Sequence, residues 1–96
     1  MKLANTTALM HSVDYKDRFI AEYWQTKIRY EKLKSFCNRI EAWEILDYET
    51  RLKTEPPKHD CPYPMLRDQQ RIMGEYLHVL EIRAIIENID LNEGVK

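Results

Sequence analysis

The sequence predicts an all-α protein: two main antiparallel helices with a short N-terminal segment and a Pro-rich connection, assembling as a helical homo-oligomer. Three observations lead there. Only two glycines occur in 96 residues, against a background of Glu, Lys, Arg and Leu, which leaves strands little to turn on. The prolines, Pro56, Pro57, Pro62 and Pro64, fall in one stretch, so a single breaker divides the chain. Beyond it, Leu66, Met73, Leu77, Leu80 and Ala84 recur at helical steps and define one buried stripe.

The elements follow in order. Residues 1–12 lack a sustained period and form the N-terminal segment. Ser12 and Asp14 are N-cap candidates, which starts the first helix near Val13. Residues 14–53 contain no Gly or Pro and make one long helix, or two with a bend near residues 35–38. Asn38 is the favoured break. TEPPKHDCPYP, residues 54–64, is the interhelix loop, and the second helix runs over about residues 64–88 with a proline in its first turn. A frayed polar tail with Gly94 follows. The whole, residues 1–96, is one helical domain whose small core makes oligomerisation an expectation.

The first helix has two apolar strips, Phe19, Tyr23, Tyr30, Leu33 and Cys37 on one line and Ile20, Trp24 and Ile28 on another. Lys16, Lys27 and Lys34 project between them. A simple hairpin would leave one strip wet, so the second strip points to a neighbouring subunit. On the second helix Gln69, Tyr76 and Arg83 recur every seven residues beside the stripe. Tyr76 and Arg83 are assigned to assembly.

Composition removes several functions. A formal net charge of -1 provides no global field toward duplex nucleic acid or an anionic membrane. Cys37 and Cys61 are too few for a disulfide framework, and the start of the chain has neither a signal sequence nor a membrane span, so free thiols in the cytosol are expected. His59 and Cys61 sit as H-x-C, without the second half of a zinc site in Cys37 or His78; no metal and no cofactor are expected. Ser and Thr lie in no nucleophile motif, and Glu41 with Glu44 or Glu22 with Asp17 read as ion-pair partners, so catalysis is not expected.

Basic and aromatic residues carry more. Lys27, Arg29, Lys32, Lys34 and Arg39 surround Tyr30 and Phe36, a mixture suited to phosphates and stacked bases, although Glu31 and Glu41 would also make it an ordinary solvated face. Arg67 and Arg71, four apart, form a like-charged pair that an acid or an anionic ligand must answer.

Three motifs, Y-K-D-R-F-I-A-E-Y over residues 15–23, E-K-L-K-S-F over 31–36 and L-x-x-Q-x-x-x-M-x-x-Y-x-x-x-L-x-x-R over 66–83, resemble the small phage anti-CBASS proteins that act as cyclic-oligonucleotide sponges. The resemblance implies a compact helical subunit in a hexamer. It would sequester cyclic dinucleotides, and in some members cyclic trinucleotides at separate sites, without cleaving them. Tyr15 matches the tyrosine that stacks on a base, Lys32 the lysine that meets a phosphate, and Arg18 a basic position between them. Tyr15 and Lys32 are too far apart for one monomer pocket, which implies two subunits. Arg67 and Arg71 match the basic start of the second helix, implied for the trinucleotide site. The connection over residues 38–64, with Trp43 and Tyr48, is longer than the family's. The rival reading is a helical hairpin that grips a host or phage protein with its second strip.

Overall fold

The computed structural model describes residues 2–92. Among them are four helices and no strand: α1 (Leu3–Met10), α2 (Tyr15–Glu44), α3 (Tyr48–Lys53) and α4 (Tyr63–Ile86). The tail with Gly94 lies outside the described residues.

Asp14 caps α2 as its residue type predicts, accepting from the Lys16 amide at 2.9 Å, while Ser12 Oγ accepts from the Asp14 amide at 3.1 Å. The helix then runs for 30 residues, straight through Asn38. The expected break there is corrected. The Asn38 side chain is engaged away from its own backbone, accepting from Arg67 at 3.1 Å, so it offers the chain no local alternative to helix. The break falls instead at residues 45–47, where Asp47 starts α3 by accepting from the Thr50 amide at 2.9 Å. Hydrogen bonding from the Thr50 side chain, and then from its amide, holds the Asp47 carboxyl below its ordinary range.

A second correction concerns the N-terminal segment, which is helical over Leu3–Met10 and packs along α2. Thr6 is fully buried; its hydroxyl donates to the Leu3 carbonyl at 2.6 Å and accepts from the Gln25 amide at 2.9 Å. The Trp24 indole donates to the Leu91 carbonyl at 2.6 Å, with Leu9 and Leu91 packed against the core beside it. Two residues of the second apolar strip of α2, Ile20 and Trp24, are therefore packed within their own chain, while Ile28 is half-buried. Eight residues of α1 were too few to display a period, which is why the sequence concealed this packing.

The core lies between α2 and α4. Phe19, Ile20 and Tyr23 pack with Leu77, Leu80, Ala84 and Ile89, so the C-terminal half of the predicted stripe is core, while Leu66 and Met73 are half-buried. Partners run in opposite order along the two helices: Tyr15 with Glu87, Tyr23 with Glu81, Arg67 with Glu41. Gly74, costly inside a helix, sits where an added Cβ would lie 3.1 Å from the Tyr30 ring. The α4 terminus is a Schellman turn. Asn88 takes a left-handed φ of 57°, the Ile89 amide donates to the Ala84 carbonyl at 2.8 Å and the Asn88 amide to Ile85 at 3.4 Å. The reversal carries Ile89 back into the core.

The result is a rod of 55 × 24 × 22 Å with a radius of gyration of 17.3 Å, against about 12 Å for a compact chain of this length. Burial and the Glu81 carboxylate, which accepts from the Tyr23 hydroxyl at 2.7 Å, push the Tyr23 phenol up to about 12. An unfolded tyrosine ionises near 10, so this contribution is intact below about pH 10 and is lost as pH rises through about 12. Chemical denaturation from pH 9 to 12 should show falling stability, with a shallower fall in Tyr23→Phe than in the wild type.

Candidate functional site

Tyr15 is the first residue of α2, so its side chain stands at the end of the rod, half exposed, where the reversal after α4 arrives. Its hydroxyl donates to Glu87 Oε1 at 3.0 Å and accepts from Arg83 Nη2 at 2.7 Å. Arg83 Nε in turn donates to Glu87 Oε2 at 3.1 Å, closing a three-residue ring. The Arg83 guanidinium lies 5.1 Å from the centre of the Phe19 ring, which itself meets Tyr15 edge-on at 6.1 Å. Arg18, one turn along α2, is exposed, and its guanidinium donates to the Ser12 carbonyl at 3.4 Å. Tyr15 and Arg83 thus meet at one end of the rod, with Arg18 one turn along α2 from Tyr15.

Lys32 is elsewhere. It is exposed on α2, 17 residues on from Tyr15, about 26 Å along the axis at the rise of an α-helix, and it makes no ion pair among the described residues. The Lys27 ammonium is nearer the tyrosine-rich face, 5.9 Å from the Tyr30 ring centre and paired with Glu31 at 3.2 Å.

Arg67 and Arg71 are both answered within the chain. Arg67 donates to the Tyr63 hydroxyl at 2.7 Å, Gln70 at 2.5 Å, Asn38 at 3.1 Å and Glu41 at 2.6 Å, tying the start of α4 to α2. The Tyr63 hydrogen bond raises its pKa above the ordinary arginine value. Arg71 points away, paired with Glu75 at 3.0 Å on the exposed side of α4. Tyr76 donates to Glu22 at 3.1 Å across the helix pair, and its burial, helped by that carboxylate, raises the phenol above its ordinary value.

The outward face of α4 is unusual. Met65, Ile72, Val79, Ile82 and Ile86 are exposed, and with Asp68 and Glu75 they step alternately by three and four residues over three heptads. This is an a/d stripe with two acids in it, opposite the stripe that packs on α2.

The family model described as Sequestin matches residues 13–86. The chain belongs to the Sequestin family. The match runs from the capping segment of α2 to the last residue of α4 and leaves α1 outside. No curated protein and no solved structure matches the chain. The family's description names sequestration, a binding role, and agrees with the sponge resemblance carried by the motifs on α2 and α4. Among the described residues no three His, Cys, Asp or Glu side chains gather as a metal site, and no helix is long and apolar enough to cross a membrane.

In this Sequestin member the structure brings Arg83 and Glu87 against Tyr15; the sequence assigns Arg83 to assembly and does not single out Glu87. The signal was available only in part: Arg83 and Glu87 are an i,i+4 pair, but nothing in the sequence states that the end of α4 returns to the start of α2. The two arginines at the start of α4 should separate in a urea titration. Arg67→Ala, which removes the hydrogen bonds of one half-buried guanidinium to Tyr63, Gln70, Asn38 and Glu41, should cost about 1–2 kcal/mol, whereas Arg71→Ala at an exposed pair should stay within about 0.5 kcal/mol.

Proposed function

We propose that this chain binds cyclic oligonucleotide second messengers, cyclic dinucleotides and also cyclic trinucleotides, and holds them without cleavage, blocking CBASS-type immunity in the cytosol of a phage-infected cell. The observation that carries the reading is an exposed Tyr15 whose hydroxyl is held by the Arg83 guanidinium, with Arg18 exposed one turn along the same helix, in a chain of the Sequestin family. Stacking on the ring supplies affinity for a base, and the guanidinium groups supply charge-assisted hydrogen bonds to phosphate oxygens. No bond of the ligand is made or broken, so the protein acts by stoichiometric capture and slow release.

The ligand is shared between subunits in this reading. Tyr15 and Lys32 lie about 26 Å apart on one helix, beyond the span of one cyclic dinucleotide, so Lys32 reaches the Tyr15 site of a second copy. The heptad stripe on α4 supports assembly because it is apolar, exposed and repeated at the spacing a partner helix accepts. A rod two helices thick has little other means of burying that face. The assembly is a homo-oligomer, with the hexamer expected. Arg67 and Arg71 are the cations of a second, trinucleotide site, where bound phosphate would take over from Glu41 and Glu75.

An adaptor that grips another protein is the alternative, and the same exposed α4 stripe, with Ile45, Tyr48 and Leu52 around α3, favours it. Titration calorimetry with a panel of cyclic di- and trinucleotides should give saturable heat, and denaturing the complex should return the nucleotide intact. Absence of heat across the panel would sink the sponge reading. On a sizing column the wild type should elute as one oligomer and Val79→Glu, a change at an exposed position of the single chain, as a smaller folded species. A wild-type monomer that retains one host protein would favour the adaptor.

A further inference from the structure

Glu87 occupies the position in which an anionic ligand would be held. Its two carboxylate oxygens accept from Tyr15 and from Arg83 Nε, at 3.0 and 3.1 Å, and Arg83 Nη2 closes the ring on the Tyr15 oxygen. A phosphodiester offers the same pair of anionic acceptors at a similar separation. We infer that Arg83 is the phosphate-binding residue of the Tyr15 site and that Glu87 is an internal competitor, displaced from Arg83 when a phosphodiester binds. The inference rests on the sequestration reading and deepens it by naming the residues that set affinity.

Three observations support the exchange over a merely structural ion pair. Arg83 is already fixed by its position over the Phe19 ring, so its guanidinium keeps its aim when Glu87 leaves. Phe19 is buried in the core, which makes that platform rigid. Glu87 is the C-cap of α4, where the helix dipole disfavours a carboxylate, so α4 loses nothing through the dipole when the carboxylate swings away. Asp14 and Asp17, the other acids at this end of α2, are occupied by the Lys16 amide and the Ser12 hydroxyl. Replacing Glu87 by phosphate leaves the Arg83 guanidinium on the ligand anion.

Calorimetry with cyclic di-AMP and cyclic GMP–AMP on the full chain tests this. Arg83→Ala should weaken binding by about 10- to 100-fold, the range expected for a charge-assisted hydrogen bond, with Arg83→Lys between it and the wild type. Glu87→Gln should tighten binding several-fold and steepen its salt dependence, because the competitor's charge is gone. Tyr15→Phe, which keeps the ring, should retain more affinity than Tyr15→Ala. Circular dichroism on each variant separates lost binding from lost fold. If the wild type binds while folded Arg83→Ala binds within twofold of it, or Glu87→Gln binds more weakly than the wild type, the assignment is overturned and the sequestration reading stands. A wild type that binds neither nucleotide nor any of the wider panel defeats both.

Discussion

The contact between α2 and α4 is the constraint from which the remaining structure follows. Ile20 and Leu80 are 1% and 2% exposed, and around them Phe19, Tyr23, Leu77 and Ala84 exclude water. Hydrophobic burial holds the helices together but is non-directional, so it does not by itself fix how far one helix slides along the other. Polar ties do that. Tyr15 to Glu87, Tyr23 to Glu81 and Tyr76 to Glu22 are cross-helix phenol–carboxylate hydrogen bonds of 2.7 to 3.1 Å, and Arg67 adds Asn38 and Glu41 at the far end. A slip of one turn, about 5.4 Å, would break all of them. The register that places Tyr15 beside Arg83 is thus set by groups spread along the whole rod.

The two ends are built differently. At one, α1 lies over the second strip of α2 and the Schellman turn returns Ile89 and Leu91, so the rod is thickened and apolar there. At the other, burial is limited to Cys37 and Ile40, and the tie is the Arg67 network of Tyr63, Gln70, Asn38 and Glu41. Arginine suits that task because its planar fork serves several acceptors in fixed directions. The candidate site at Tyr15 therefore rests on the better packed end, where Phe19 supports Arg83 from beneath.

Much of the fold was legible because its signals are local. The proline cluster, the Asp14 cap and the stripe through Leu77, Leu80 and Ala84 each act within a few residues of themselves. The misreadings share one cause. Asn38 has a poor helix propensity but its side chain is recruited by Arg67, 29 residues away, and α1 is stabilised by packing on α2 and not by its own sequence. Of the candidate site, Tyr15 and Arg18 are reached only through the resemblance to the sponge family, while Arg83 meets Tyr15 only through the helix pairing, a separation of 68 residues that no periodicity reports.

Most of the exposed apolar residues of the described chain gather on α4. A helix with Leu77, Leu80 and Ala84 buried on one side and Ile72, Val79, Ile82 and Ile86 exposed on the other is apolar on two faces, and the described chain covers one. Arg83 follows Ile82 directly, so the ring of Tyr15, Arg83 and Glu87 borders that stripe and is not remote from it. A partner helix seated on the stripe would partly enclose the Tyr15 site, lowering the local dielectric and strengthening every hydrogen bond made there to a charged group. Were the chain to bind an anion at Arg83 as proposed, affinity and assembly would be coupled through one helix, because the exposed apolar face and that guanidinium lie side by side.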